Sequence, residues 1–255
     1  MSSKNTQEDI LIVDNIHTFI GQFHILEGVS VRVPKGSITV LLGRNGAGKT
    51  TTLKSILGLT PPQEGKVIFD GIEIQGKRAF NVANLGIGYV PEHRAIFRAL
   101  SVMENLKLAE RKKGDFDRSA DFIFDLFPDL KRLYKLPGNH LSGGQQQMLA
   151  VARALVPENK LLLIDEPSEG LAPILIQQMM EAIRVLSEKT TILLVEQNFI
   201  MASQLAQRFT IIDDGQSVHQ GMMTELVNDT DLIHQYLGAS IKTRKELEME
   251  HEAQA

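Results

Sequence analysis

The sequence predicts an α/β fold in which helices pack on a mostly parallel sheet. Three observations favour this class of fold. Several runs of about five residues are largely apolar, a glycine-rich segment directly follows the first of them, and segments with helical spacing separate the others. Wholly apolar runs are typical of strands that are buried on both faces of a sheet. Helices between such strands supply the crossovers that a parallel sheet needs.

The individual elements follow from the apolar runs and from the residues that stop them. A helix is predicted at residues 49–57, because Gly58 and the pair Pro61-Pro62 end it. A second helix is predicted at residues 173–188, where Pro173 suits the first turn. The predicted strands cover residues 38–42, 65–69, 161–164, 191–195 and 209–213.

The middle of the chain has a different pattern. Residues 100–155 show helical spacing without a strand pattern, which predicts a helical subdomain of about residues 93–157 inserted into the sheet domain. The whole domain is expected to cover residues 8–238. Residues 239–255 are rich in Lys and Glu and are predicted to be a polar tail, as a frayed or solvated helix.

Composition limits the classes of function. With 255 residues the chain suits one large domain, or one domain with a smaller appendage. A net charge of −4 argues against broad nucleic-acid binding, which usually needs a basic face. The absence of cysteine excludes disulfides and thiolate metal sites and permits a cytoplasmic setting. No secretory signal and no apolar run long enough to span a bilayer is visible, so we expect another subunit to hold this chain at any membrane.

The glycine-rich segment after the first apolar run fits the phosphate-loop pattern G-x-x-x-x-G-K-[ST] in full. Its glycines let consecutive backbone N–H groups point at a phosphate, and Lys49 adds a positive charge for the β- and γ-phosphates. Thr50 offers its hydroxyl to Mg²⁺. The predicted nucleotide-binding residues here are Gly43, Arg44, Asn45, Gly46, Ala47, Gly48, Lys49, Thr50 and Thr51.

Two carboxylates end the apolar strand at residues 161–164. Ligands of open α/β sheets bind at the carboxyl ends of the strands, so Asp165 is predicted to hold Mg²⁺ through water. Glu166 is predicted to orient or deprotonate an attacking water. Neighbouring residues of a strand point to opposite faces, but a turn at Pro167 would bring both carboxylates to one nucleotide.

A second glycine-rich patch precedes a helix predicted at residues 146–155. Its residues are Ser142, Gly143, Gly144 and Gln145, after Leu141. A Ser hydroxyl, glycine N–H groups and a helix N-terminus can hold an anion, but a second phosphate site is redundant unless it serves a nucleotide held by a partner. With this pentapeptide, the chain resembles an ATP-binding subunit of an ABC transporter, a family of the P-loop NTPase class, over residues 10–237.

Within that superfamily the chain is most similar to the ATPase subunits of high-affinity branched-chain amino acid importers. ATPases of urea and short-chain amide importers are closely similar. The stretches that carry this closer resemblance are residues 89–92, Phe97, and residues 104–106, 142–150, 166–173 and 195–198.

The resemblance also assigns roles at positions that depart from the general superfamily pattern. Glu92 stands where a Gln usually contacts Mg²⁺ and the transport partner, and is expected to ligate the metal. Gln197 replaces a His that contacts the γ-phosphate, and its amide can still donate a hydrogen bond. The register places Ile20 at the position expected to stack on adenine, with Phe19 and Phe23 as substitutes, although a core position is the expectation for either Phe.

The resemblance implies ATP and Mg²⁺ as ligands and a head-to-tail dimer with a second ABC ATPase subunit, identical or related. It further implies integral membrane permease subunits, an indirect link to a solute-binding protein, no nucleic acid, and a peripheral place on the cytoplasmic face of the inner membrane. A permease helix is expected near Arg94, Phe97 and Arg98. Two alternatives remain: an ABC ATPase that acts on DNA or ribosomes, and a phosphate-loop kinase, which would leave the patch at residues 142–145 unexplained.

Overall fold

The computed structural model describes residues 8–238. The expected tail at residues 239–255 lies outside this range, and the bounds expected for the domain and its helical insertion remain predictions. The strands are β1 (Asp9–Ile20), β2 (Phe23–Pro34), β3 (Ile38–Leu42), β4 (Glu64–Phe69), β5 (Ile72–Glu73), β6 (Ile87–Val90), β7 (Leu161–Asp165), β8 (Thr191–Val195), β9 (Arg208–Asp213) and β10 (Gln216–Met222).

Helices occupy most of the connections between these strands. They are α1 (Lys49–Ile56), α2 (Ala79–Asn84), α3 (Val102–Lys107), α4 (Asp115–Leu126), α5 (Pro128–Arg132), α6 (Gly143–Leu155), α7 (Pro173–Ser187), α8 (Phe199–Leu205), α9 (Met223–Leu226) and α10 (Thr230–Leu237). A 3₁₀ turn at Gly138–His140 precedes α6. Among the described residues no helix is long and apolar enough to cross a membrane.

The main sheet has six strands in the order β10-β9-β3-β8-β7-β6. All its pairings are parallel except that of β10 with β9. The predicted α/β class is therefore confirmed. Strands β3, β7 and β8 lie side by side, so the segments that follow them meet at one edge of the sheet.

A second sheet, which the sequence analysis did not predict, has four strands in the order β2-β1-β4-β5 and is antiparallel. Only β4 among its strands was predicted. The long hairpin of β1 and β2 alternates buried and exposed residues, with Val29, Val31 and Val33 on the buried face. That period of two is the signal that would have identified it.

Strands β3, β7 and β8, at the centre of the main sheet, are buried at every residue, which explains why they are almost wholly apolar. Ile38, Val40 and Leu42 of β3 face one core, together with residues of α3 to α8. Leu41 faces the other core, which is filled by α1 and the antiparallel sheet. Alternate residues of each strand thus face different layers, and the polar residues among them, such as Thr39 in β3, are also buried.

Between β6 and β7 the chain forms α3, α4, α5 and α6, with one isolated bridge from Ser101 to Pro137. The helix predicted at residues 146–155 begins three residues earlier, at Gly143. The reason is the N-cap at Ser142, which allows both glycines to join the first turn.

Candidate active site at the carboxyl edge of the main sheet

The phosphate loop joins β3 to α1 and needs glycine for steric reasons. Gly43 has φ +151°, and a Cβ there would lie 2.1 Å from the carbonyl oxygen of Ile212. Gly48 has φ +108°, and a Cβ would lie 2.7 Å from a methyl group of Leu26. Any larger residue would therefore displace the loop from the sheet edge.

The other loop residues divide into exposed and packed positions. Arg44, Asn45 and Gly46 are exposed, Ala47 is buried, and Thr51 is half-buried in the first turn of α1. The Arg44 guanidinium donates a hydrogen bond to the carbonyl oxygen of Gln235, in α10, at 2.9 Å. The exposed side of the loop thus stays open to a ligand, and Arg44 ties its edge to the last described helix.

Lys49 is a buried cation. Its ammonium group donates to the carbonyl oxygens of Gly43 at 2.9 Å and Arg44 at 3.0 Å, and it lies 3.3 Å from the Glu166 carboxylate. A buried charge needs such partners because desolvation is costly. The structure therefore brings together Lys49 and Glu166, which were both predicted to be catalytic.

Asp165 ends β7 and is fully buried. The Thr50 hydroxyl donates to it at 3.0 Å and the Tyr89 hydroxyl at 3.3 Å. Burial raises the pKa of Asp165 to about 6; hydrogen bonding from Thr50 opposes the shift, and repulsion by Glu166 adds to it. Burial, followed by the charge of Asp165, likewise raises the pKa of Tyr89.

These residues fit a magnesium ion that is shared with phosphates. Hydroxyl and carboxylate oxygens are ligands that Mg²⁺ prefers, and Thr50 and Asp165 already place theirs within hydrogen-bonding distance. A cation would also relieve the electrostatic cost of the buried Asp165. Within residues 8–238 no group of three or more His, Asp or Glu side chains could hold a metal, so phosphate oxygens and water would have to complete the shell.

Glu166 itself makes the turn that was predicted at Pro167. Its φ is +46°, in the left-handed region, which costs a non-glycine residue roughly 1–3 kcal/mol. Its N–H donates to the carbonyl oxygen of Val195 at 2.9 Å. The turn directs the carboxylate back towards Lys49, on the same edge of the sheet as Asp165.

Gln197 follows β8 and contacts the same carboxylate. Its side-chain amide donates a short hydrogen bond to Glu166. Glu92, in contrast, makes its ionic contact with His93, at 3.6 Å, and adds only repulsion to the Asp165 carboxylate. In the described residues it makes no hydrogen bond to Thr50 or Asp165, so its predicted role as a metal ligand remains a prediction.

The glycine patch lies at the start of α6. Ser142 accepts from the Gln145 N–H at 3.3 Å, and Gln145 accepts from the Ser142 N–H at 2.9 Å, which is a capping box. Gly144 is buried against Leu175, and the guanidinium of Arg94 lies beside Gly143. No hydrogen bond within residues 8–238 joins the patch to the phosphate loop.

The residues considered for adenine lie at the tip of the β1–β2 hairpin. Phe19 stacks on His24 with ring centroids 4.1 Å apart. Phe23 is 65% exposed and Ile20 is 48% exposed. The expectation of a core position is therefore wrong for Phe23, because the hairpin extends beyond the packed layers.

Two groups of the site were missed by sequence reasoning. Tyr89 is one, since its contact with Asp165 arises only when β6 pairs with β7. Glu196 is the other, a buried carboxylate bonded to Ser168. Burial raises the pKa of Glu196, against the hydrogen bonds from Ser168 and Asn198. A charged residue directly after a wholly apolar strand was the available signal for Glu196.

The comparisons agree with this geometry. The family described as ABC transporter matches residues 26–169. Because a relative named below is also 40% identical over 90% of the chain, the chain belongs to the ABC transporter family. Its fold and family make it an ATP-binding protein and an ATPase.

Curated relatives come from both import and export systems. A high-affinity branched-chain amino acid transport ATP-binding protein of Pseudomonas aeruginosa, BraG, is 40% identical over 90% of this chain and all of its own length. A probable branched-chain amino acid transport ATP-binding protein of Archaeoglobus fulgidus, LivF, is 38% identical over 81% of this chain and 89% of its own. A lipopolysaccharide export system ATP-binding protein of Haemophilus influenzae, LptB, is 31% identical over 91% and 99%.

Solved structures are similar over nearly the whole described chain. A nucleotide-free ATP-binding cassette from an ABC transporter has a TM-score of 0.79 at 25% identity. The ADP conformation of an ATP-binding cassette has a TM-score of 0.78 at 26% identity. Each comparison covers 89% of this chain and 98% of the other.

Proposed function

We propose that this chain hydrolyses ATP to power an ABC importer, and that its cargo is a branched-chain or related amino acid. The 40% identity to BraG over that protein's full length carries the proposal, because it exceeds the 31% identity to the export protein. The branched-chain relatives come from a bacterium and an archaeon, which supports a shared class of cargo.

In the proposed reaction the phosphate loop and Lys49 bind the phosphates, while Glu166 accepts a proton from the attacking water. The contact of Lys49 with Glu166 at 3.3 Å supports this pairing. The contact places the Lys49 charge, which would bind the γ-phosphate, beside Glu166. Glu166 would then act on a water molecule next to that phosphate. Gln197 holds the same carboxylate, which limits the directions in which Glu166 can point.

Magnesium belongs to this proposal through Thr50 and Asp165. A bound Mg²⁺ supplies charge neutralisation on the phosphate oxygens. Thr50 and Asp165 orient each other through the 3.0 Å hydrogen bond, and Tyr89 fixes the second carboxylate oxygen. These contacts keep the two oxygen ligands in place before the ion arrives.

A second ATPase subunit is proposed to complete the site. Ser142 and Gly143 are exposed at the N-terminus of α6, and within residues 8–238 neither forms a hydrogen bond with the phosphate loop. A nucleotide held by another copy would meet a hydroxyl, free N–H groups and the positive end of a helix. A trapped triphosphate would then hold the two copies together.

The permease is proposed to dock at a cleft beside β6. The cleft has a volume of about 290 Å³ and is lined by three arginines, Arg94, Arg111 and Arg153. Phe97 is half-exposed and lies under the Arg153 guanidinium at 4.9 Å. The expected docking residues Arg94 and Phe97 are thus accessible, and so is Arg98. The membrane partner would hold the chain at the cytoplasmic face.

Two other cargoes remain testable alternatives. The first alternative is urea or a short-chain amide, because the ATPases of importers for these solutes resemble this sequence closely. Lipopolysaccharide export is the second, because LptB is 31% identical over 99% of its length. We propose a solute-binding protein as an indirect partner only for the import functions, and not for lipopolysaccharide export.

The test is a deletion strain that is complemented with the wild-type chain or with Lys49→Ala. The proposal predicts that uptake of labelled leucine, isoleucine or valine is lost on deletion, restored by the wild type, and not restored by the variant. Uptake of labelled urea and acetamide and the amount of surface lipopolysaccharide are measured in the same strains. Unchanged amino acid uptake with a loss in either of the other two would overturn the proposed cargo.

A further inference from the structure

Glu196 is a buried carboxylate at the carboxyl end of β8 that none of the proposed catalytic steps uses. Its residue is only 1% exposed. Its Oε1 accepts from the Ser168 N–H at 3.1 Å. Its Oε2 accepts from the Ser168 hydroxyl at 3.0 Å and from the N–H groups of Gln197 and Asn198, each at 3.2 Å. The carboxylate therefore meets four donors on two separate segments.

The two segments are the ones that hold the proposed base. Ser168 lies two residues after Glu166, in the turn that Glu166 begins. Gln197 donates its side-chain amide to the Glu166 carboxylate. Glu196 thus closes a ring of contacts that runs from Glu166 along the chain to Ser168, across to Glu196, and through Gln197 back to Glu166.

We propose that Glu196 is a positioning residue for hydrolysis, which fixes the turn after Glu166 and the backbone of Gln197 as one unit so that the base stays aimed. This rests on the proposed roles of Glu166 and Gln197. In this role Glu196 acts only through these two segments.

The chemistry of the donors requires a carboxylate at this position. A carboxylate accepts at both oxygens, whereas an amide presents a donor on one side. In Glu196→Gln, an amide group at the Oε1 position would face the Ser168 N–H, and at the Oε2 position it would face the N–H groups of Gln197 and Asn198. Either orientation loses hydrogen bonds that a buried site cannot replace with water.

The left-handed backbone at Glu166 explains why the turn needs the contacts that Glu196 provides. A non-glycine residue persists at positive φ only where its surroundings hold it. Glu196, which directly follows β8, binds the turn at Ser168, two residues after Glu166. Loosening Glu196 therefore frees the strained turn to relax, which would move the Glu166 carboxylate away from the water it is proposed to activate.

The test compares steady-state ATP hydrolysis of Glu196→Gln with that of the wild-type chain. We expect kcat to fall roughly 10-fold to 100-fold, the equivalent of one or two lost hydrogen bonds to a charged group, while KM and ATP affinity change by less than about twofold. Ser168→Ala removes only the hydroxyl contact and should give a smaller fall in kcat, again with KM kept. This second variant keeps the test decisive if Glu196→Gln fails to fold.

Asp115→Asn is the matched control. Asp115 is another buried carboxylate, which accepts from the N–H groups of Arg111 at 3.0 Å and Lys112 at 2.8 Å. Its replacement should lower stability comparably and leave kcat unchanged, so a fall in kcat through general destabilisation would appear in both variants. Unchanged kcat in Glu196→Gln, or a loss confined to ATP affinity, would overturn the positioning role.

Glu166→Gln, measured alongside, separates the two proposals. If Glu166→Gln loses turnover while Glu196→Gln keeps it, only the positioning role of Glu196 fails. If Glu166→Gln keeps normal turnover, the proposed base itself is wrong, and the role of Glu196 fails with it.

Discussion

At the scale of single residues, the site is held by contacts that exist before any nucleotide binds. Lys49 donates hydrogen bonds to two carbonyl oxygens and pairs with Glu166. Asp165 accepts hydrogen bonds from two hydroxyl groups. Each buried charge is therefore already oriented by the protein. Such pre-organisation lowers the cost of binding and reacting, because little has to move afterwards.

Removal of the proposed base should separate binding from chemistry. We expect Glu166→Gln to slow ATP hydrolysis by a factor on the order of 10² to 10⁴, since the amide cannot take a proton from water. ATP affinity should stay within a few-fold, because the phosphate loop is unchanged. Phosphate release and fluorescent-nucleotide binding measure the two effects. Glu181→Gln, an exposed carboxylate of α7, serves as the control; turnover of Glu166→Gln at the control rate would refute the assignment.

The buried Asp165 should make stability depend on pH when nucleotide and magnesium are absent. Burial raises the pKa of Asp165 from 3.8 to about 6; the hydrogen bonds from Thr50 and Tyr89 oppose this shift, and the charges of Glu166 and Glu92 add to it. The folded chain therefore binds protons more tightly, so this group costs stability as pH rises through 6, by about 3 kcal/mol once ionised.

Asp165→Asn removes that cost. We expect the variant to exceed the wild type in free energy of unfolding at pH 7.5 in the presence of EDTA, and the advantage to vanish as pH falls towards 4. Urea unfolding followed by circular dichroism across this range measures it. A difference that stays constant with pH would contradict the raised pKa.

At the scale of elements, the N-cap residue of α6 can be tested for a functional role beyond its structural one. Ser142 and Ser101 are both N-cap residues in capping boxes, at α6 and α3 respectively. Replacement of either by Ala should cost about 1 kcal/mol of stability. Only Ser142 lies in the glycine patch that is proposed to meet a partner's nucleotide.

We therefore expect Ser142→Ala to lower ATP hydrolysis at least several-fold, and Ser101→Ala to leave it unchanged. Thermal unfolding checks that the two losses of stability are similar. Equal hydrolysis by the two variants would mean that Ser142 only caps its helix.

The sequence predicted those elements whose pattern is local. Largely apolar runs gave β3, β7, β8 and β9, because strands that are buried on both faces have few polar positions. The β1–β2 hairpin was missed, since its polar face interrupts the apolar run. The four-residue strand β6 was also missed, because only its pairing with β7 distinguishes it from a loop.

The candidate site was predicted where residues are close along the chain. Lys49 with Thr50 and Asp165 with Glu166 are such pairs, and the parallel pairing of β3, β8 and β7 brings them together. Glu196 and Tyr89 could not be predicted in the same way. The contacts of Glu196 with Ser168 and of Tyr89 with Asp165 join segments that are at least 28 residues apart, and depend on strand order rather than on any motif.

At the scale of the whole molecule, the phosphate loop and the glycine patch at residues 142–145 have different neighbours. The phosphate loop lies at the carboxyl edge of the main sheet, and the patch at α6 lies against Arg94 and Leu175. No hydrogen bond within the described residues links them. We therefore expect one nucleotide to bridge the loop of one copy and the patch of another.

The most direct measurement of this central claim is the sedimentation of Glu166→Gln at saturating ATP and Mg²⁺. The predicted result is about twice the monomer mass with ATP and the monomer mass without it. The double variant Lys49→Ala/Glu166→Gln, which lacks the charge that holds the triphosphate, should remain monomeric throughout. A Glu166→Gln chain that binds ATP yet keeps the monomer mass, and also fails to pair when its permease is added, would contradict the account.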